Sequence, residues 1–327
     1  MTRIRDLIKR RDKDFVILNI TDIQFNDTLD KFDGKKFTSD TVCALVERVK
    51  PDLITVSGDF VWGMFVKDSL RYFCMLIEQF RIPWAPVIGN HDCEGNMSKK
   101  EIAACIKEWC EYCLFDEGPQ DIAGIGNYYI NIRDCADDGR IIHTLFFMDT
   151  GGRREYTVKD ADGESKRGGY DHLKYSQIKW YSECLYRLKQ DNSGVMPLST
   201  VVLHIPPIQY KYAWREWKKN GCNPELGFGF NNEECCTPLE DNGFFDAVKA
   251  MGSTRDIIAG HDHINCASVV YDGVRLTYGL KTGDRCYWKD NMNGGTVITV
   301  DSYGNTQVRH EFVKSDKEGG SFISKLL

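Results

Sequence analysis

"PWAPVIGNHD", residues 83–92, is the stretch on which the fold turns. Its apolar run, 84–88, suits a buried strand, and it gives way without a spacer to Gly89, Asn90, His91 and Asp92. A carboxamide, an imidazole and a carboxylate at the end of one strand are groups that handle metals or protons. In open α/β sheets the carboxyl ends of parallel strands are where sites form. Taken alone, the same three residues would read as the cap of the following helix.

The pattern repeats on both sides. Residues 16–20 read as a buried strand followed by Asp22 and Gln24, and residues 53–56 as a second strand followed by Gly58 and Asp59. Helical spacing over 38–50, stopped by Pro51, and over 68–80 separates these strands, and Ser98 with Glu101 has capping-box spacing at the start of the next helix. Helices alternating with strands imply parallel βαβ units. Downstream the chain is richer in strands: 127–132, 141–148, 199–203, 256–259, 267–271, 274–279 and 295–300, with helices near 175–190 and 241–251. Asp272-Gly273 suits a type I′ hairpin turn. Strand 199–203 ends at His204, and strand 256–259 leads into Gly260, His261, Asp262 and His263. Four of the seven histidines therefore follow strands directly.

Composition limits the possible functions. The chain has 327 residues, 42% hydrophobic and 12% aromatic, enough for a substantial core. A net charge of -6 gives no basic footprint, which disfavours general nucleic-acid binding unless metal ions supply positive charge. The basic "MTRIRDLIKRRDKD" is followed only by the short apolar "FVILNI", and no stretch is long enough to span a bilayer, so no membrane association and a cytoplasmic location are expected. Thirteen cysteines without an export signal then read as free thiols, with Cys93, Cys105, Cys110 and Cys113 taken as core packing rather than a zinc cluster. His143 and His310 read as structural. Residues 206–238 read as a long functional loop whose Tyr210, Tyr212, Trp214 and Trp217 either wall a cleft or close a small core. Lys166, Arg167 and His172 either approach an anionic substrate or lie in a solvated loop.

The series Asp22-Ile-Gln24, Gly58-Asp59, Gly89-Asn90-His91-Asp92, His204 and Gly260-His261-Asp262-His263 resembles the motif set of the calcineurin-like metallophosphoesterases. "GGYDHLKYSQIKWY", "CCTPLEDNGFF" and "YGLKTG" look like its small purple-acid-phosphatase-like branch. The resemblance covers roughly residues 15–300. It implies a four-layer α/β/β/α sandwich, with residues 1–14 as an N-terminal extension, 15–313 as a single domain and 314–327 as a tail. It also implies two divalent ions, with manganese favoured over iron or zinc. The first would be held by Asp22, Gln24, Asp59 and His263, and the second by Asp59, Asn90, His204 and His261, with Asp59 bridging. His91 would protonate the leaving group and Asp92 would orient it, while a hydroxide on the ions attacks phosphorus in line.

The family pattern has histidine where this chain has Gln24. An amide oxygen is a weaker ligand that favours harder ions such as manganese or magnesium. Gln24 then either completes a looser first site, donates to a metal-bound water, or marks an inactive relative. Trp62 stands where purple acid phosphatases carry the tyrosine that binds ferric iron, so no tyrosinate-iron colour is expected. The resemblance implies hydrolysis of a phosphomonoester, on a small molecule or a phosphoprotein. The alternatives are a phosphodiesterase acting on a nucleotide or lipid-derived substrate, and a catalytically weakened binding scaffold.

Overall fold

A computed structural model describes residues 5–26, 36–135, 139–160 and 163–313; the expected tail, 314–327, lies outside the described residues. In chain order the first half contains β1 (Arg5–Ile8), β2 (Phe15–Ile20), α1 (Lys36–Val49), β3 (Leu53–Ser57), α2 (Val66–Glu78), β4 (Trp84–Val87) and α3 (Lys99–Trp109). β5 (Tyr128–Arg133), β6 (Ile141–Phe147), β7 (Arg153–Asp160), β8 (Gly163–Tyr170), α4 (Tyr175–Asp191), β9 (Leu198–Val202) and α5 (Gln209–Lys219) follow. The chain continues through β10 (Gly227–Phe228), α6 (Phe244–Met251), β11 (Thr254–Ala259), β12 (Ser268–Tyr271), β13 (Val274–Tyr278), β14 (Gly294–Val300) and β15 (Thr306–Phe312).

Two sheets face each other. The smaller runs β15-β14-β2-β3-β4 and the larger β1-β5-β6-β9-β11-β13-β12-β10, while β7 and β8 form a separate ribbon. Side-chain alternation along the central strands builds the layers: Leu145, Val202 and Ile258 join the core shared with the small sheet, whereas their neighbours Phe146, Val201 and Ile257 join the core beneath α4, α5 and α6. Helices α1, α2 and α3 contribute Leu45, Phe73 and Ile106 to the first core. The result is the expected four-layer α/β/β/α sandwich. A hydrogen bond from the Tyr128 hydroxyl to the Pro86 carbonyl, 2.7 Å, ties β5 to β4 across the sheets.

The expected strands and helices form close to their expected positions. Ser98 and Glu101 close a capping box at the start of α3, and Asp272 and Gly273 have φ of 47° and 82° in the β12–β13 turn. Cys93, Cys105, Cys110 and Cys113 pack in or against the main core, and none of the thirteen cysteines is joined in a disulfide.

Several elements depart from the sequence reading. Residues 5–8 do not belong to an extension: β1 pairs in parallel with β5, Leu7 opposite Ile132, and forms the edge of the large sheet. The stretch taken as a loop after His204 contains helix α5, which buries Tyr210, Ala213 and Trp217. Their i, i+3, i+7 spacing was the available signal, hidden by the aromatic content. The loop around 166–172 is mostly strand β8, and β15 adds an edge to the small sheet.

His143 gives the fold a pH dependence. It is fully buried, with Nδ1 2.9 Å from the Gly304 carbonyl and Nε2 2.9 Å from the Thr200 hydroxyl, and burial depresses its imidazole to about 4. A depressed histidine favours the folded state above the unfolded value near 6.5, and that contribution is lost as pH falls toward 4. Acidification from pH 7 to 5 is expected to remove about 2 kcal/mol through this group. Urea unfolding of the wild type and His143→Gln at both pH values checks this: a pH dependence equal in the two proteins would refute it.

Candidate metal centre

The loops that follow β2, β3, β4, β9 and β11 meet at one edge of the sandwich. Asp22, Asp59 and His204 come close enough for one oxygen or nitrogen from each to lie within 4.8 Å of the others. Asp22, Gln24, Asp59 and His261 all have left-handed backbones, with φ of 52°, 53°, 52° and 79°. Such conformations cost free energy for residues other than glycine and gather at functional sites. The loops also approach more closely than side chains permit elsewhere. At Gly58, φ +90°, a Cβ would lie 2.3 Å from His204 Nδ1, and at Gly89 one would lie 2.1 Å from Asp59 Oδ1.

The four side chains expected at the second ion position come together. His204 Nε2 lies 3.0 Å from Asn90 Oδ1, 3.2 Å from Asp59 Oδ2 and 3.3 Å from His261 Nδ1. The other ring nitrogen of His204 donates to the Ser57 carbonyl at 2.8 Å, which fixes the ring and turns Nε2 inward. All four atoms are of types that coordinate metal ions. Within the cluster, burial alone would lower His204, but the Asp59 carboxylate and its hydrogen bond raise it to about 9. Burial likewise raises Asp59, and His204 outweighs that, bringing its carboxyl to about 2. His261 is pushed well below its ordinary value by burial and by the charge on His204. The donor set therefore fits a divalent ion.

The first expected position is different. His263 donates from Nδ1 to the Tyr287 carbonyl, 2.9 Å, leaving Nε2 3.4 Å from Asp22 Oδ1. Asp22 Oδ1 is buried with no hydrogen-bond partner, while Oδ2 accepts from the Thr21 hydroxyl and the His261 amide. Those atoms suit a cation. The Gln24 carboxamide nitrogen faces inward, 3.3 Å from His263 Nε2 and 3.5 Å from Asp59 Oδ2, as in the reading of Gln24 as a donor. Its oxygen is engaged by Lys281, whose Nζ donates to Gln24 Oε1 at 2.9 Å and to the Asp22 carbonyl at 2.8 Å.

His91 stands at the rim with a partly exposed side chain, its backbone N–H held by Asp59 Oδ1 at 2.9 Å. Asp92 does not orient its ring, contrary to expectation. Asp92 is buried beneath the loops, where its oxygens accept the backbone N–H groups of Asp59, Val61 and Gly89 at 3.0, 2.9 and 2.7 Å. It ties the second and third strand ends together. The side chain at His91 Nδ1 is Glu94, 2.5 Å away. Its signal was the i, i+3 spacing on the short turn after β4. Lys281 was legible as a lysine two residues beyond Gly279 at the end of another strand, but its sequence neighbours give no hint of its partners.

The remaining candidates lie outside this cluster. Lys166 donates to Thr157 within the β7–β8 ribbon, and His172 is held by Arg154 and Glu240. The ribbon reaches the site through Tyr170, whose ring meets that of His261 edge-on at 4.3 Å and carries the Arg153 guanidinium 4.8 Å from its centroid. Tyr210 and Trp217 are buried in the second core. A cleft of about 570 Å³ near Asp116, Trp180 and Arg187 contains none of the site residues. No helix among the described residues is long and apolar enough to cross a membrane.

Comparison with known proteins agrees with this geometry. The model of the calcineurin-like phosphoesterase family matches residues 15–265. Two Arabidopsis thaliana proteins, named probable inactive purple acid phosphatase 29 and 28, are 28% and 25% identical to this chain. The first alignment covers 84% of this chain and 70% of the relative, the second 93% and 79%. The crystal structure of a dimetal phosphatase from Danio rerio superposes with a TM-score of 0.56 at 12% identity, covering 90% of this chain and 95% of that one. With the expected polar residues gathered at the strand ends and the family model spanning most of the sandwich, this chain belongs to the calcineurin-like phosphoesterase family.

Proposed function

We propose that the protein hydrolyses phosphomonoesters in a metal-dependent reaction. The observation that supports this most directly is the convergence of His204 Nε2, His261 Nδ1, Asn90 Oδ1 and Asp59 Oδ2 beside the rim residue His91. A divalent ion held there supplies Lewis-acid polarisation of a phosphoryl oxygen and lowers the pKa of water. Manganese suits a position in which an amide oxygen and a carboxylate accompany two imidazoles. Thirteen free thiols support a reducing compartment such as the cytoplasm.

The protein's own residues set the geometry of the reaction. Asp59 accepts the His91 backbone N–H and so holds the ends of β3 and β4 together. His91, with Nδ1 against Glu94, presents Nε2 to the rim, where it can give a proton to the departing oxygen of a phosphoester. Arg153, stacked on Tyr170 beside His261, adds positive charge on the approach side for an anionic substrate. Small phosphorylated molecules and phosphoproteins both present such a group.

The test is turnover of an aryl phosphate monoester and a bis-aryl diester by chelator-stripped protein titrated with Mn²⁺. Metal-dependent turnover that favours the monoester is expected. Preference for the diester would make the protein a phosphodiesterase, and no turnover of either ester at saturating Mn²⁺ would refute hydrolysis. His91→Asn is expected to lower kcat by about 10²–10³-fold, with a larger loss for leaving groups of higher pKa. A loss independent of the leaving group would remove His91 from the role of acid.

A further inference from the structure

The first position is built differently from the second, and the difference lies in Lys281. Its side chain is 1% exposed, and Nζ donates both to the Asp22 carbonyl and to Gln24 Oε1, at 2.8 and 2.9 Å. A lysine ammonium offers only hydrogens, so the acceptor end of the Gln24 carboxamide must face it. That chemistry settles the choice of amide orientation that geometry alone leaves open. The end turned toward Asp59 and His263 is consequently the NH₂ group, which has no lone pair for a metal ion. Asp22 Oδ1, Asp59 Oδ2 and His263 Nε2 are left around the first position with a hydrogen-bond donor in the fourth place. A buried ammonium bonded to the same two residues also disfavours a second cation nearby, since like charges repel strongly where water is excluded.

We propose that this centre holds one tightly bound divalent ion, on Asp59, Asn90, His204 and His261, and that the Lys281–Gln24 pair closes the first position. The pair exchanges a two-ion centre for an ion beside a fixed lysine. The inference rests on the metal-centre reading above but does not depend on which ester, if any, is turned over.

Metal content tests it without measuring activity. Chelator-stripped wild type, Lys281→Met and the double variant Gln24→His/Lys281→Met are dialysed against graded Mn²⁺, their metal is quantified per chain, and the bound Mn²⁺ is examined by electron paramagnetic resonance. The wild type is expected to bind one ion with an uncoupled six-line spectrum. The double variant is expected to bind two, with an exchange-coupled spectrum and the second ion held at least about 100-fold more tightly than in wild type. Two coupled ions in the wild type would overturn the proposal and leave the hydrolase reading standing. One ion in a folded double variant would overturn the role given to Lys281 and Gln24. No bound ion in the wild type at millimolar Mn²⁺ would overturn both the proposal and the metal-dependent reading. The wild-type stoichiometry decides the central claim even if a variant fails to fold.

Discussion

Replacing Asp59 with asparagine is expected to lower kcat for an aryl phosphate by about three orders of magnitude, some 4 kcal/mol of transition-state stabilisation. Asp59 is the residue at which the two expected ion positions meet. Its Oδ2 faces His204 and Gln24, and its Oδ1 holds the backbone of His91. Asparagine has nearly the same shape and tolerates the left-handed backbone, φ 52°, that the position requires. The fold should therefore survive while the negative charge disappears. Asp59 is the one carboxylate among the four residues proposed to hold the ion, so the anionic charge that holds it is removed. Without metal, the thermal midpoint should change little. The rise in that midpoint on adding Mn²⁺, about 2.7 kcal/mol of stabilisation at a hundredfold excess over the dissociation constant, should be lost. Full activity with an unchanged Mn²⁺ shift in Asp59→Asn would remove Asp59 from the centre.

Trp84→Ala is expected to give the largest loss of stability, about 3–5 kcal/mol. Trp84 opens β4, is fully buried, and meets Phe73 of α2 edge-to-face at 5.7 Å. Its indole N–H donates to Glu78 at 2.6 Å, and the same carboxylate receives the backbone N–H groups of Glu111 and Tyr112. Alanine would leave a cavity between the edge strand and its helix and remove one of the hydrogen bonds that position Glu78. Because β4 leads directly to Asn90 and His91, catalytic loss should accompany the stability loss. Trp84→Phe keeps the aromatic volume but not the N–H, so its cost should fall well below that of alanine. Urea midpoints at constant m-value measure both. A change below about 1 kcal/mol for Trp84→Ala would show that the edge collapses without cost.

The candidate site was legible where its chemistry is local to a strand end. Asp59, Asn90, His204 and His261 each follow an apolar run, which places each at a strand end, and the family resemblance groups them around one centre. Reading Asp92 as the partner of His91 failed because adjacency in sequence does not give side-chain direction. On the turn after β4, Asp92 points into the sandwich while Glu94, one turn on, returns to the ring. Helix α5 was obscured because its aromatic residues also suit a cleft wall, and only burial of Tyr210 and Trp217 separates the two readings.

By itself, the sequence determined the alternation of strands and helices and the placement of polar residues at the strand ends, and through its resemblance to a known family the α/β/β/α sandwich, because these follow from patterns within a few residues. Tertiary structure alone decided what Gln24 does. Its amide is oriented by Lys281, 257 residues away along the chain, and a carboxamide presents an oxygen or an NH₂ group according to the partner placed beside it.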